Sequence, residues 1–416
     1  MSTSLNTSDK ELKPTFLRFL LHSLGTVTDG GVAYWVWMVI LVATALIGLN
    51  AWAYQVANGL GVTAMSDHVS WGMYIGNFTY GVGLAAGAVM VVIPTYLYGD
   101  HAMHHVVVVG EILAISAISV CVLFVGADLG RIDRAWHMAP GLGEMNFPSS
   151  LLTWDVAVLN VYFFLNLTMV VYVLFQYYRG RKPAKKIVVP LALVSIVWAI
   201  SIHVVTAFLY SGLGGRPFWN TALLAPRFIV SAFITGPAFL ILAFVAIRYF
   251  TDFKVGSGPF RTLHRVLQVT VLLNLFFLIS ELFTEFYAGT SHSASAHYLF
   301  FGHGDATALV PFIWTAVVFN IVAAIAMLLG DPEKRLWLIG LGCVLSLIGV
   351  WVEKGLGLIV PGFVPSTLHE VVEYLPNLVE WKITLGLWAF GLILFTAGLK
   401  IAFTVLPRSS SVSREF

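Results

Sequence analysis

The chain has 416 residues, of which 58% are hydrophobic and only 11% charged, with a net charge of +2. A soluble domain carries roughly 25% charged residues, so this composition excludes an ordinary soluble enzyme. It points to the lipid bilayer as the chief partner, and no basic run suggests nucleic acid.

In chain order, residues 1–32 form a polar N-terminal segment. The stretch MSTSLNTSDKELKPTF lacks the order of a cleaved signal, because no apolar core promptly follows its charges. Residues 11–24 fit either a short interfacial amphipathic helix or a frayed tail. Ten apolar runs follow, roughly 33–54, 70–98, 105–127, 153–177, 186–211, 224–250, 262–288, 309–329, 335–359 and 382–405. Each is long enough to cross a hydrocarbon core of about 30 Å as a helix. The class is therefore all-α: a polytopic membrane domain over 33–405 and a polar tail over 406–416.

Basic residues orient the spans, because cytoplasmic loops are rich in Lys and Arg. With ten spans both termini share a side, and that side carries seventeen of the 23 basic residues, from Lys10, Lys13 and Arg18 to Lys400, Arg408 and Arg414. Arg131, Arg134, Arg216, Arg227 and Lys382 lie at or near the other surface. The termini are placed in the cytoplasm and the connection after the third span in the periplasm or cell exterior.

A weak repeat divides the spans. WDVAVLN at 154–160 answers WTAVVFN at 314–320, and pairing the fifth span with the ninth sets His203 against Glu353. Spans two to five (about 70–211) and six to nine (about 224–359) then form two four-helix bundles, flanked by spans one and ten.

Ionisable groups inside spans cost at least about 2.5–3.5 kcal/mol, so each is either a functional group or a structural pair. They are Glu111, Asp155, His203, Arg227, Glu281, Glu285, Glu353 and Lys354. Arg227 is a plausible structural partner for Glu281 or Glu285. Of twelve histidines only His203 is well inside a span, which argues against a two-histidine transmembrane haem. Cys121 and Cys343 are isolated in separate spans, which argues against an iron–sulfur cluster held by this chain. No metal-ligand spacing is convincing. The DHAMHH run with His101, His104 and His105 reads as a solvated helix cap or a proton-collecting surface.

Proton and lipid-soluble redox chemistry remain. A quinone needs an apolar slot, hydrogen-bond donors at its carbonyls and nearby proton carriers. Trp71, Tyr74 and Asn77, then Asp128, Arg131 and His137, then Trp154, Asp155, His203 and Tyr210 supply these types at one end of spans two to five. Glu111, with His104 and His105 beside it, is the candidate start of a cytoplasmic proton path, and Glu281, Glu285, Glu353 and Lys354 are further path candidates. A secondary transporter could use the same groups, and a passive membrane anchor would not need them.

The segments WGMYIGNFTYGVGLAAGAVMVV, GEILA, LFVGADLGRIDRAWH and LLTWDVAVLN resemble the NrfD or polysulfide-reductase-type membrane subunits. The resemblance covers about 35–405 and is most specific over 71–160. Ten spans fit the longer branch, and the pattern is most similar to the membrane subunit of the menaquinone reductase complex of sulfate reducers. The resemblance implies a bacterial inner-membrane subunit without haem or iron–sulfur cluster that binds menaquinone near the periplasmic face. It implies a docked periplasmic ferredoxin-like iron–sulfur subunit, with further molybdopterin-family-like and multihaem cytochrome c subunits. Quinone reduction is the expected direction, with quinol oxidation as the alternative. By position the family's DLGR segment falls on Asp128, Leu129, Gly130 and Arg131, its following histidine on His137 and its WD pair on Trp154 and Asp155.

The charge count makes a topological prediction. A reporter active only in the periplasm, fused after Arg408, should be silent, and activity there would invert the orientation.

Overall fold

Within hydrocarbon every backbone N–H and C=O must be satisfied inside the protein, which long helices achieve alone. The computed structural model describes residues 15–139, 141–287, 289, 293–366 and 370–406. Lys10, Lys13, Arg408 and Arg414 of the charge count lie outside them, as does all but the first residue of the proposed tail.

The chain runs α1 Phe16–Val27, α2 Val32–Asn58, α3 Met73–Gly87, α4 Val89–Tyr96, α5 Val107–Asp128, α6 Leu151–Tyr178 and α7 Lys185–Ser211. It continues with α8 Leu224–Phe250, α9 Ser257–Tyr287, α10 Ser293–Phe301, α11 Val310–Leu329, α12 Leu336–Lys354, α13 Leu356–Ile359 and α14 Leu378–Val405. Short 3₁₀ turns occupy Leu60–Val62, Ile132–Met138 and Pro361–Phe363. Ten spans among the described residues are long and apolar enough to cross a membrane, as the hydropathy pattern anticipates. The two faces of the bundle are the Asp128 end and the His104 end.

Two spans differ from the uninterrupted helices expected. The second is interrupted at Ala88, where Ala88 and Val91 donate to carbonyls three residues back rather than four. Pro94, inside α4, has no N–H to give. The ninth breaks at Gly355 (φ −83°, ψ −104°), directly after Lys354, and resumes as the single turn α13. The connection expected over 289–308 contains α10. Helix α1 overlaps the stretch 11–24 read as either amphipathic helix or tail and runs past its end, with Phe16 and Phe19 packing on Phe175 at 5.5 and 5.7 Å between ring centroids.

Helices α3, α5, α6 and α7 pack as one bundle, and α8, α9, α11 and α12 as the other. Helices α2 and α14 pair along Gly48 and Gly386, where a Cβ on Gly48 would lie 2.6 Å from the Gly386 Cα. That pair flanks α5 through α14.

Helix α3 is the shared wall. Every residue from Met73 to Gly87 is buried, and it touches α5 and α7 of its own bundle and α8 and α12 of the other. Its glycines allow this. Gly76 faces Gly355, Gly83 faces Lys354 and His203, and Gly87 lies against Gly236 of α8. Small residues let helix backbones approach closely in membranes, where the hydrophobic effect does not drive helices together.

A Cβ on Gly87 would press on the Ala232 carbonyl and sit 2.7 Å from the Gly236 Cα. Gly87→Ala should cost about 1–3 kcal/mol through overpacking. It should lower the melting temperature in detergent, whereas Gly61→Ala, whose Cβ meets nothing within 4 Å, should not. Equal melting of the two would show that the crossing has slack.

Candidate functional site

At the Asp128 end, Gln55 of α2 turns inward and is 2% exposed. Its Nε2 donates to the Ala127 carbonyl at 2.7 Å, and its Oε1 accepts from the Tyr74 hydroxyl at 2.6 Å. Asp128 closes α5 beside this pair, and its Oδ1 is buried without a hydrogen-bond partner among the described residues. The carboxylates of Asp128 and Glu380 both act electrostatically on Tyr74. Glu380, fully buried, accepts from the Tyr374 hydroxyl at 2.5 Å and from the amides of Ala64 and Asn377, each at 3.0 Å. Tyr374 accepts in turn from the Met73 amide at 2.8 Å, which fixes the start of α3. Burial, then the neighbouring Glu380, pushes the Tyr374 phenol well above its ordinary range, so it remains a donor.

The DLGR segment continues outward. Arg131 and Asp133 form an exposed bidentate pair, with side chains 65% and 59% exposed, and Arg131 holds the Asp133 carboxyl below its usual range. Such a pair adds little stability. His137 is exposed and stacks on exposed Trp136 at 3.8 Å. Trp154 is partly exposed and donates to the Pro148 carbonyl at 2.8 Å. These groups therefore line the outer surface, apart from the buried groups below.

A buried column lies deeper. Asp155 Oδ1 is 2.6 Å from Thr206 Oγ1, which is also 2.8 Å from the Ile202 carbonyl. A hydroxyl has one proton, so both contacts are satisfied together when Asp155 brings a proton of its own. Thr79 likewise bonds the Ile75 carbonyl at 2.9 Å and meets the Tyr210 hydroxyl at 2.5 Å, with Tyr210 as donor. His203 Nε2 is 2.7 Å from Lys354 Nζ, which sits 4.2 Å from the Phe228 ring centroid. Above these, Trp71, Trp219 and Phe363 form an aromatic cap, with Trp71–Trp219 centroids 5.9 Å apart.

Across the α3 wall, Arg227 bridges Glu281 and Glu353. The first partner is one that the sequence suggests; the second is not. Glu353 also accepts from Asn320 at 2.7 Å and Asn274 at 3.3 Å. The two motifs paired in the sequence agree in one contact and differ in another. Trp314 donates to the Phe300 carbonyl at 2.9 Å, as Trp154 does to Pro148, but Asn320 reaches Glu353 whereas Asn160 bonds its own helix at Val156.

At the other end, Glu111 is 3% exposed, and its Oε2 has no partner among the described residues. It acts electrostatically on Tyr96, whose ring lies 5.6 Å from that of His104. Burial, then His101, His105 and Lys185, hold His104 below the usual imidazole range. That shift favours the neutral ring.

The expected residues thus divide into groups. Tyr74 and Asp128 share the mouth, and Asp155 and His203 share the buried column. Trp71 belongs to the cap. Asn77 does not join them: its Oδ1 accepts from Trp351 at 3.0 Å and Trp388 at 2.8 Å, tying α3 to α12 and α14. Gln55, Thr79, Thr206, Tyr374 and Glu380 are site residues that the sequence reading misses. Gln55 is visible there as an amide just past the end of the first apolar run, and Thr206 as a hydroxyl one turn after His203. Nothing local marks Glu380, which sits in a polar stretch of the sequence. Among the described residues no three His, Cys, Asp or Glu side chains gather as a metal-ligand set.

The chain is similar in sequence to known proteins. The family model of polysulphide reductase, NrfD, matches residues 61–364. A Halobacterium salinarum chain named as a membrane subunit of dimethyl sulfoxide reductase is 25% identical, over 93% of this chain and 94% of its own. The Hdr-like menaquinol oxidoreductase integral membrane subunit of Archaeoglobus fulgidus is 24% identical over 92% and 96%. The menaquinone reductase integral membrane subunit of Nitratidesulfovibrio vulgaris is 22% identical over 92% and 94%. With ten apolar spans and a family match across most of its length, this multi-pass integral membrane protein belongs to the NrfD polysulphide reductase family.

Proposed function

We propose that this chain is the quinone-reactive membrane subunit of a respiratory oxidoreductase complex, exchanging electrons with menaquinone at the Asp128 end. The observation that carries the reading is the buried column of Asp155, Thr206, Tyr210 and His203 below a mouth with an unpartnered Asp128 oxygen. The names of two relatives support the ligand, one as a menaquinol oxidoreductase and one as a menaquinone reductase subunit. Reduction is the direction proposed, with the same groups serving oxidation in reverse.

A quinone, when bound, supplies two-electron, two-proton chemistry. The chain's own contribution is polar capture and proton supply. Asp128, with its unpartnered Oδ1, fits the polar head, and Tyr74 holds the neighbouring Gln55 in place. Asp155, whose bonds close when it is protonated, gives or takes a proton, and His203 stands behind it. Glu111, Tyr96 and His104 collect protons from the opposite end, which makes turnover electrogenic. The exposed Arg131–His137 turn, with Trp136, offers a docking surface for an iron–sulfur subunit that delivers electrons one at a time. Molybdopterin-type and multihaem cytochrome c subunits are the proposed further partners. The charge count supports an orientation with the Asp128 end periplasmic and residues 1–32 and 406–416 cytoplasmic, and a bacterial inner membrane is the setting proposed from the family resemblance.

Asp155→Asn keeps shape but removes the proton carrier. Turnover of the assembled complex should fall about 10²–10⁴-fold, the usual contribution of a general acid–base group. Near wild-type turnover would make Asp155 structural.

Glu111→Gln should slow turnover and reduce dye-reported membrane potential per electron in sealed proteoliposomes, while quinone affinity is unchanged. Undiminished potential per electron would remove Glu111 from the path and favour proton uptake from the Asp128 side.

A further inference from the structure

Two small cavities flank Arg227 in the second bundle. One, about 20 Å³, is bounded by Ser231, Asn274, Lys354, Arg227 and Glu353. The other, also about 20 Å³, is bounded by Arg227, Glu281, Glu285 and Glu353. A water needs roughly 10–15 Å³ of such space and two to four polar partners, so each cavity has room and partners for one.

Glu353 and Lys354 are adjacent in the chain but face different bundles. Lys354 reaches His203 of α7, and Glu353 reaches Arg227 of α8, Asn274 of α9 and Asn320 of α11. Both stand in the last turn of α12, immediately before the break at Gly355. Charge balance couples them. With Lys354 and Arg227 positive, Glu281 and Glu353 negative and Glu285 protonated, the five groups around the two cavities sum to zero. Losing the Lys354 proton outright would leave a net negative charge in a low-dielectric site, whereas moving it to Glu353 keeps the sum at zero.

We infer that Lys354, Glu353, Glu281 and Glu285 form a proton-conducting branch from His203, across the interface between bundles, to the Asp128 end of the second bundle. In one direction the Lys354 ammonium loses an N–H proton to a water in the first cavity, and that water protonates the Glu353 carboxylate. The Glu353 proton then crosses the second cavity to Glu281 or Glu285. Glu285, four residues on along α9 and two before its end at Tyr287, passes it outward. Each step breaks one N–H or O–H bond and forms one O–H bond, no electrons move, and every step is reversible. The branch rests on the quinone reading only for the proton's source or destination.

The test separates the two. Dicyclohexylcarbodiimide modifies protonated carboxyls within membranes. With the full chain in liposomes, acidifying the solution at the Asp128 end should raise modification of Glu353, read by peptide mass spectrometry. Glu285→Gln should remove that response and Glu285→Asp should restore it. Modification of Glu353 that ignores this pH, or that is unchanged in Glu285→Gln, would overturn the branch. Quinone affinity of the same samples, measured by tryptophan quenching, is a separate readout. Its absence in the wild type would sink the functional reading and leave the labelling result to decide the branch.

Discussion

Close approach of helix backbones along α3 is the constraint on which the rest depends. In a bilayer, lipid tails are as apolar as the side chains, so helices associate through tight packing and internal hydrogen bonds. Helix α3 uses both. A Cβ at Gly83 would lie 3.1 Å from Lys354 Nζ and 3.4 Å from His203 Cε1, so the bare backbone there is what admits the buried pair. At Gly76 the same bareness admits Gly355, which lets α12 end where it does. Asn77 then locks the arrangement by accepting two indole N–H groups from α12 and α14.

Electrostatics sorts the charged groups into two kinds. Arg131 and Asp133 meet in water, where attraction is screened and the pair can be lost at small cost. Arg227, Glu281 and Glu353 meet inside the protein, where removing one partner costs about 3–5 kcal/mol because the remaining charge is stranded. The interior set therefore holds α8, α9 and α12 in register. Asp155 and Glu111 are different again, since each is buried without an opposite charge bonded to it. A carboxyl placed so is suited to carrying a proton rather than a charge.

The spans were legible because each is a long apolar run, and Arg227 with Glu281 was legible because opposite charges in the membrane seek each other. The interruptions were not. Ala88 lies in an unbroken apolar run, and the charged pair Glu353–Lys354 before Gly355 reads as a candidate site rather than as the end of a helix. The contact of His203 with Lys354 joins residues 151 apart, and helical periodicity cannot say which faces meet. Asn77 misled for a related reason: a polar residue near a helix start reads as a ligand group, but its partners came from α12 and α14. The outer loop stands out in sequence by motif strength, and Arg131 and His137 lie exposed there, apart from the buried column.

The buried position of α3 also bears on how the chain is made. Together with α4 it has the lowest mean hydropathy of the ten spans, yet it occupies the most enclosed place. It leaves the ribosome second among the spans, while its neighbours α8, α12 and α14 follow more than a hundred residues later. Until they arrive, its glycine-lined surface and the side chain of Asn77 have no lasting partners. The N-terminal half therefore cannot reach its final form on its own. The Asn77 partners, Trp351 and Trp388, come late in the chain, so the second span completes its polar contacts only when synthesis is nearly complete.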